Sequence, residues 1–320
     1  MQKGIKNTIR RLGFNIEHYS VENKKIFGSY IPLKSEFTYD KEKGIIQLHA
    51  LQLQVNIKQH DFFLKSLRFV KDLTAQCKAQ FWVNDKDELF ATIRGITISL
   101  QTGQDVSTLH EIFVKDCYNY QTTADFILID IGLNVGITSL FFSVNPLCKH
   151  IFSFEPFEET YRQAMYNLSL NDNAVKINPF NYGLGAEERI EDVDYIPAYR
   201  GSMGINGIPS FIQNREGIYH TNIQIHNASK VLSPIIRDYK SENSIVVKID
   251  CEGAEYEILK DLFQSGLLSQ IDVVMMEWHN DGATILTQYL RECGFDIFSF
   301  YSSNPELGGV YAIRRNEKKK

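Results

Sequence analysis

Cysteine is sparse and unpatterned: five residues, Cys77, Cys117, Cys148, Cys251 and Cys293, an odd number with no C-x-x-C spacing. This excludes a disulfide framework and a cysteine-bound zinc, and it fits a reducing compartment. Positive charge is in deficit. Lys and Arg number 34 against 39 Asp and Glu, a formal net charge of −5, so the broad basic face that neutralises phosphates is missing and nucleic acid is not an expected partner. Long apolar runs are missing too. Residues 126–144 come nearest to spanning length, but Asp130, Gly132, Asn134 and Gly136 interrupt them; a buried strand followed by a helix accounts for them better than a membrane span. The start of the chain, MQKGIKNTIRRLGF, is basic without the apolar centre of a signal peptide, so a cytoplasmic protein is expected. There is no internal repeat and no low-complexity linker. The 320 residues, 43% of them hydrophobic, can bury a substantial core in one large domain or two smaller ones.

The most informative stretch is 126–155, FILIDIGLNVGITSLFFSVNPLCKHIFSFE. An apolar run, a loop framed by Gly132 and Gly136, an amphipathic run and a second apolar run ending on Glu155 predict strand, tight loop, helix, strand: the first half of a nucleotide-binding βαβ unit. Glycines let the backbone approach a ligand closely, and an acid after the second strand can accept both hydroxyls of a ribose. The loop reads Asp130-x-Gly132-x-Asn134-x-Gly136 rather than the G-x-G-x-x-G that makes room for a pyrophosphate. It suits a smaller zwitterion, with Asp130 and Asn134 set to meet an ammonium and a carboxylate, the head groups of the methionine part of S-adenosylmethionine. Phe157 suits either stacking on adenine or a place in the core, and Asn181 is a candidate to read the adenine amino group. The main rival is a nicotinamide-dependent oxidoreductase, since the spacing from Gly132 to Glu155 also suits a dinucleotide ribose. A nucleotide-binding module that has lost its chemistry is the other.

Downstream, Lys248-Ile-Asp-Cys-Glu-Gly-Ala-Glu255 follows a strand-like run and precedes a helical pattern. With Asp130–Gly136, Glu155-Pro156 and Glu277-x-His279 in this order, the chain resembles the FkbM-type S-adenosylmethionine-dependent O-methyltransferases over about residues 118–313. Leu133 and Cys251 depart from the residues usual at their positions. The resemblance implies an α/β fold, a Rossmann-like seven-stranded sheet, mostly parallel with the last strand antiparallel, and methyl transfer to a hydroxyl, often on a sugar or a polyketide-type product.

Elsewhere, residues 1–120 read as an α+β extension ahead of the methyltransferase domain at 121–320. Ile5, Ile9, Leu12 and Ile16 recur at helical spacing with Lys3, Lys6, Arg10 and Arg11 off that face, an amphipathic basic helix for which packing on its own protein is favoured over docking on an anionic membrane. The C-terminal Arg314, Arg315 and Lys318–Lys320 read as a solvated tail. Leu51, Leu53, Val55 and Ile57 alternate as in a half-buried strand, and Phe63, Leu67, Val70, Leu73 and Cys77 mark one helix. Three short runs over 81–100 form a meander, and Thr108-x-x-Glu111 suits a capping box. From Phe126 the alternation becomes βαβα, the pattern of a parallel sheet covered by helices. It breaks at 186–243, a long insertion rich in aromatic, small and polar residues, where Arg200 and His220 are candidate acceptor contacts. The acceptor is expected to be a hydroxylated, carbohydrate-like small molecule. Oligomeric state is left open.

Asp130, Glu155, Asn181, Asp250 and Glu277 all fall at predicted strand ends, where ligands of such sheets collect. Among them His279 is the favoured base for the acceptor hydroxyl, neutral at an ordinary pKa of about 6.5, with Asp250 or Glu277 orienting its other nitrogen and Glu252 near the substrate. Glu252 and Glu255 also suit plain helix capping. The alternative is a hard divalent cation held by Asp250, Glu252 and Glu277.

Overall fold

The computed structural model describes residues 21–30, 32–209, 212–302 and 304–315. The basic N-terminal helix and Lys318–Lys320 lie outside the described residues. The chain divides into two compact units between Asp116 and Cys117.

The first unit holds two three-stranded antiparallel sheets. One joins Phe37–Asp40, Ile45–Leu48 and Leu53–Asn56; the other is the expected meander, Gln80–Val83, Leu89–Ile93 and Ile96–Leu100. The alternation at 51–57 ends early, because Asn56 caps a helix that starts at Ile57. The single helix expected through Phe63 and Cys77 is two, Ile57–Lys65 and Leu67–Cys77, broken at Ser66, whose hydroxyl donates to the Phe62 carbonyl at 2.7 Å. The capping box is also displaced. Thr102 and Asp105 cap the helix Gly103–Phe113, which leaves Thr108 in its interior. Both threonines fit the S/T-x-x-acid pattern, and the one directly after a strand meets the free N–H groups of the helix start.

The second unit carries the seven-stranded sheet. Its strands in chain order are β1 Phe126–Ile131, β2 Cys148–Phe154, β3 Ile177–Phe180, β4 Ser244–Ile249, β5 Val273–His279, β6 Phe295–Tyr301 and β7 Leu307–Arg314. Across the sheet they run β6-β7-β5-β4-β1-β2-β3. The pairs from β3 to β5 are parallel, while β7 is antiparallel to both β5 and β6, as expected. β1 and β4 are apolar almost throughout because helices cover both faces of a parallel sheet. Ile127, Ile129, Val247 and Ile249 pack under the helices Ala228–Tyr239 and Glu255–Gln264, with Thr284–Glu292 completing that layer.

The segment 186–243 differs from its expectation in part. Gly183–Gly185, Arg189–Tyr195 and Tyr219–Asn227 make a small sheet over a second apolar cluster. Its end, the helix Ala228–Tyr239, is a core crossover helix whose Ala228, Leu232 and Ile236 are buried. That spacing is helical, and Pro234 and the polar residues around it mask it in the sequence. No described helix is long and apolar enough to cross a membrane.

Candidate functional site

Two adjacent half-sites form at the carboxyl ends of the parallel strands, where the strand order reverses between β1 and β4, the place at which such sheets bind ligands. The first follows β1 and β2. Gly132 has φ +92°, and a Cβ there would lie 1.8 Å from the Asp250 carbonyl oxygen, so only glycine lets this loop ride over the end of β4. Asn134 is also left-handed, at φ +52°, and its side-chain oxygen is buried without a hydrogen-bond partner. Glu155 follows β2 and is 5% exposed. Its carboxylate accepts the Asn134 N–H at 2.9 Å and the Phe157 N–H at 3.0 Å, and each oxygen keeps a second lone pair. Burial pushes the Glu155 pKa up, to about 7, against the lowering effect of those two N–H groups.

That shift sets a pH dependence. The folded value lies above the ordinary 4.5, so the stability Glu155 contributes is fully present below about 4.5 and is lost as the pH rises through about 7. Ribose hydroxyls prefer the ionised form, so nucleoside binding runs the opposite way. Calorimetry at pH 6 and pH 8 is expected to give an affinity for S-adenosylmethionine about tenfold tighter at pH 8, and Glu155→Gln should flatten the difference. Equal affinities in the wild type at both pH values would exclude Glu155 as the ribose acceptor.

Three expected roles around this half-site are corrected. Asp130 is fully buried, accepts the Ser139 hydroxyl at 2.6 Å and lies 3.1 Å from the Lys248 ammonium, so the contacts it makes here are with the protein itself. Phe157 is a core residue, its ring 5.0 Å from that of Tyr195 in a cluster with Val193, Ile223 and Ile225. The Asn181 amide donates to the Glu155 carbonyl at 3.0 Å, holding the strand end in place. Gly136 is left-handed at φ +89° and starts the helix Ile137–Ser143.

The second half-site follows β4 and closes β5. Glu252 and Gly253 are both left-handed, at φ +54° and +113°, which folds the turn after Asp250 back toward His279. Glu255, fully buried, accepts the His279 backbone N–H at 2.6 Å and Nδ1 at 3.0 Å through one oxygen and the Gly253 N–H at 2.8 Å through the other. Glu255, not Asp250 or Glu277, therefore orients the imidazole. His279 Nε2 then faces Glu252 Oε2 at 3.4 Å and Glu277 Oε1 at 3.8 Å. Burial alone would lower the His279 pKa, but the bond to Glu255 and the charge of Glu252 outweigh it and raise it to about 10. Burial pushes Glu252 up to about 7. A lone neutral imidazole is thus not what the fold prepares; the site is a cluster of acids that attracts positive charge to Nε2. Asp250 accepts the Tyr118 hydroxyl at 3.0 Å.

Lys248, to which sequence reasoning assigns no role, joins the halves. Its ammonium donates to the Gly132 carbonyl at 2.7 Å and lies 3.1 Å from Asp130 and 3.8 Å from Asp250. Burial would lower its pKa, but the two carboxylates hold it raised. Charge complementarity across β1 and β4 was the available signal: Lys248 pairs in register with Asp130.

Of the two candidates from 186–243, one lies apart from this group and the other is buried within its own segment. His220 has a side chain 90% exposed and pairs with Asp194 at 2.6 Å, and Arg200 is buried in the turn Pro197–Ser202, where its charge reaches Tyr195. The same segment does reach the site elsewhere. A Cβ on Gly204 would lie 2.2 Å from the Glu252 carbonyl, and one on Gly253 would lie 2.0 Å from the Asn206 amide.

Residues 130–297 match the family model described as the methyltransferase FkbM domain. The chain belongs to the FkbM methyltransferase family. Among the relatives of this FkbM chain, methyltransferase sdnD of Sordaria araneosa is 24% identical over 208 residues, 58% of this chain and 80% of that protein. Methyltransferase 1 of Beauveria bassiana is 25% identical over 209 residues, 60% and 82%. AMB antimetabolite synthetase AmbE of Pseudomonas aeruginosa is 25% identical over 223 residues, which are 58% of this chain and only 10% of AmbE. A solved methyltransferase FkbM from Methylobacillus flagellatus aligns with a TM-score of 0.41 and 13% identity, over 63% of this chain and 47% of that one.

Proposed function

We propose that this FkbM chain transfers the methyl group of S-adenosylmethionine to a hydroxyl of a small, carbohydrate-like molecule. The observation that carries the reading is the first half-site: the Glu155 carboxylate, tied to the loop through the Asn134 N–H, keeps lone pairs for a ribose, and the Asn134 side-chain oxygen is buried without a partner. These suit ribose hydroxyls and an ammonium. The loop Asp130-x-Gly132-x-Asn134-x-Gly136 in place of G-x-G-x-x-G weighs against the nicotinamide alternative.

In this reading the donor lies along residues 130–136 with its ribose on Glu155, and the acceptor meets Asp250, Glu252 and His279. Lys248 contacts both the Gly132 carbonyl and the acid cluster, which keeps the two halves in fixed relation. The sulfonium carbon is already activated, so alignment of the acceptor oxygen with the departing sulfur supplies much of the acceleration. As the O–C bond forms, the C–S pair returns to sulfur and the hydroxyl proton passes to the carboxylates of the cluster. The contact of Gly204 and Asn206 with the 252–253 turn gives the acceptor-side segment a way to set specificity. Partial exposure of Asp250 and Glu252, 30% and 21%, leaves that side open to a ligand.

The test is label transfer from methyl-labelled S-adenosylmethionine to sugar glycosides, with carboxylic acids and amines alongside. The expected product carries a base-stable methyl ether. Label released by mild base, or found on amines, would refute hydroxyl transfer.

A further inference from the structure

Asp250, Glu252 and His279 each offer one ligand atom, and the three atoms lie within 4.8 Å of one another. We propose that they bind a divalent cation of the Mn²⁺ type, with positions left open on the acceptor side. The expectation of a hard-ion site built on Asp250, Glu252 and Glu277 changes in one member: the nitrogen of His279 replaces Glu277, which stands 3.8 Å from Nε2.

The spacing is that of ligands around one ion. With bonds of about 2.1–2.4 Å, neighbouring ligand atoms are about 3.0–3.4 Å apart and opposite ones at most about 4.8 Å. His279 Nε2 and Glu252 Oε2, at 3.4 Å, fit neighbouring positions. They are too far apart for the charge-assisted hydrogen bond of about 2.7–2.9 Å that an imidazolium would make to a carboxylate.

The imidazole is independently prepared as a ligand. His279 is 8% exposed, and its Nδ1 is committed to the fully buried Glu255, which also takes the His279 backbone N–H. With Nδ1 donating to Glu255, Nε2 is turned toward the two carboxylates, and a cation bound there takes the place of the Nε2 proton. A carboxylate behind the distal nitrogen is the arrangement that orients metal-binding histidines. The Lys248 ammonium lies 3.8 Å from Asp250 but is committed at shorter distances to Asp130 and the Gly132 carbonyl. Tyr118 donates to Oδ2 of Asp250, which leaves Oδ1 for coordination.

The ligand set selects the ion. Two carboxylates suit Mg²⁺, Ca²⁺ and Mn²⁺, whereas the imidazole favours a transition metal, so Mn²⁺ satisfies both. Three protein ligands leave room for the acceptor hydroxyl, whose proton a bound cation would make more acidic. That last role rests on the proposed methyl transfer; binding of the ion does not.

The full-length protein, stripped with chelator, should be titrated with MnCl₂ by calorimetry, and its affinity for S-adenosylmethionine measured in the same preparations. One saturable Mn²⁺ per chain is expected, with Mg²⁺ and Ca²⁺ weaker. Glu252→Gln and His279→Ala should each weaken Mn²⁺ at least about tenfold while retaining donor affinity, which shows that they fold. If either fails to fold, Asp250→Asn serves as the near-isosteric replacement. No saturable Mn²⁺ uptake up to about 1 mM, or equal uptake by folded variants, would overturn the site. Mn²⁺ uptake without methyl transfer to any acceptor would instead count against the enzymatic reading and leave the cation site standing.

Discussion

Lys248→Met is expected to lower the free energy of unfolding by about 3–5 kcal/mol, because it strands the Asp130 carboxylate as an unpaired buried charge. The Lys248 and Asp130 side chains are 2% and 0% exposed, so water cannot take over from the ammonium. Ser139 continues to donate to Asp130 at 2.6 Å, but a hydroxyl does not neutralise a carboxylate. Methionine keeps the length of the stem and so limits any cavity. The Gly132 carbonyl also loses its donor, and donor affinity should fall with stability. The double variant Asp130→Asn, Lys248→Met removes both charges and should recover most of the loss. Urea unfolding of the two variants beside wild type measures it. A single variant within about 1 kcal/mol of wild type would mean the pair is not the buried buttress described.

His279→Ala should reduce turnover by roughly 10²–10⁴-fold with donor affinity unchanged. The imidazole separates Glu252, Glu277 and Glu255 and is the one ring that contacts all three. Its removal leaves these acids to repel one another where the acceptor oxygen must be held. Donor affinity is spared because Gly132, Asn134 and Glu155 belong to other strands. Glu255 acts through His279, as a positioning residue. Glu255→Gln still accepts the His279 backbone N–H but withdraws the charge behind Nδ1, so kcat and its pH profile should move while KM for the donor stays fixed. Stopped-flow or label-transfer kinetics separate these parameters. Near-normal turnover in His279→Ala would remove the cluster from the reaction.

The order of strands and helices from residue 126 onward, outside 186–243, was legible because period-two and period-3.6 patterns, glycine loops and strand-end acids are local signals. Gly132, Asn134, Glu155, Asp250 and His279 could be placed at the crevice from chain position alone. Their partners could not. The Lys248 bond to Gly132 spans 116 residues and the Tyr118 bond to Asp250 spans 132, and nothing local fixes which side chains meet across adjacent strands. Hence Asp130 read as a ligand group although it is a buried counter-ion, Phe157 as a stacking face although it is core, and Glu255 as a helix cap although it steers His279. His220 was drawn toward the site by composition, yet lies on an exposed strand beside Asp194. Sequence periodicity determines which face of an element is buried. Only the tertiary structure, by bringing the ends of β1, β4 and β5 side by side, decided which charges neutralise one another and which are left to bind something else.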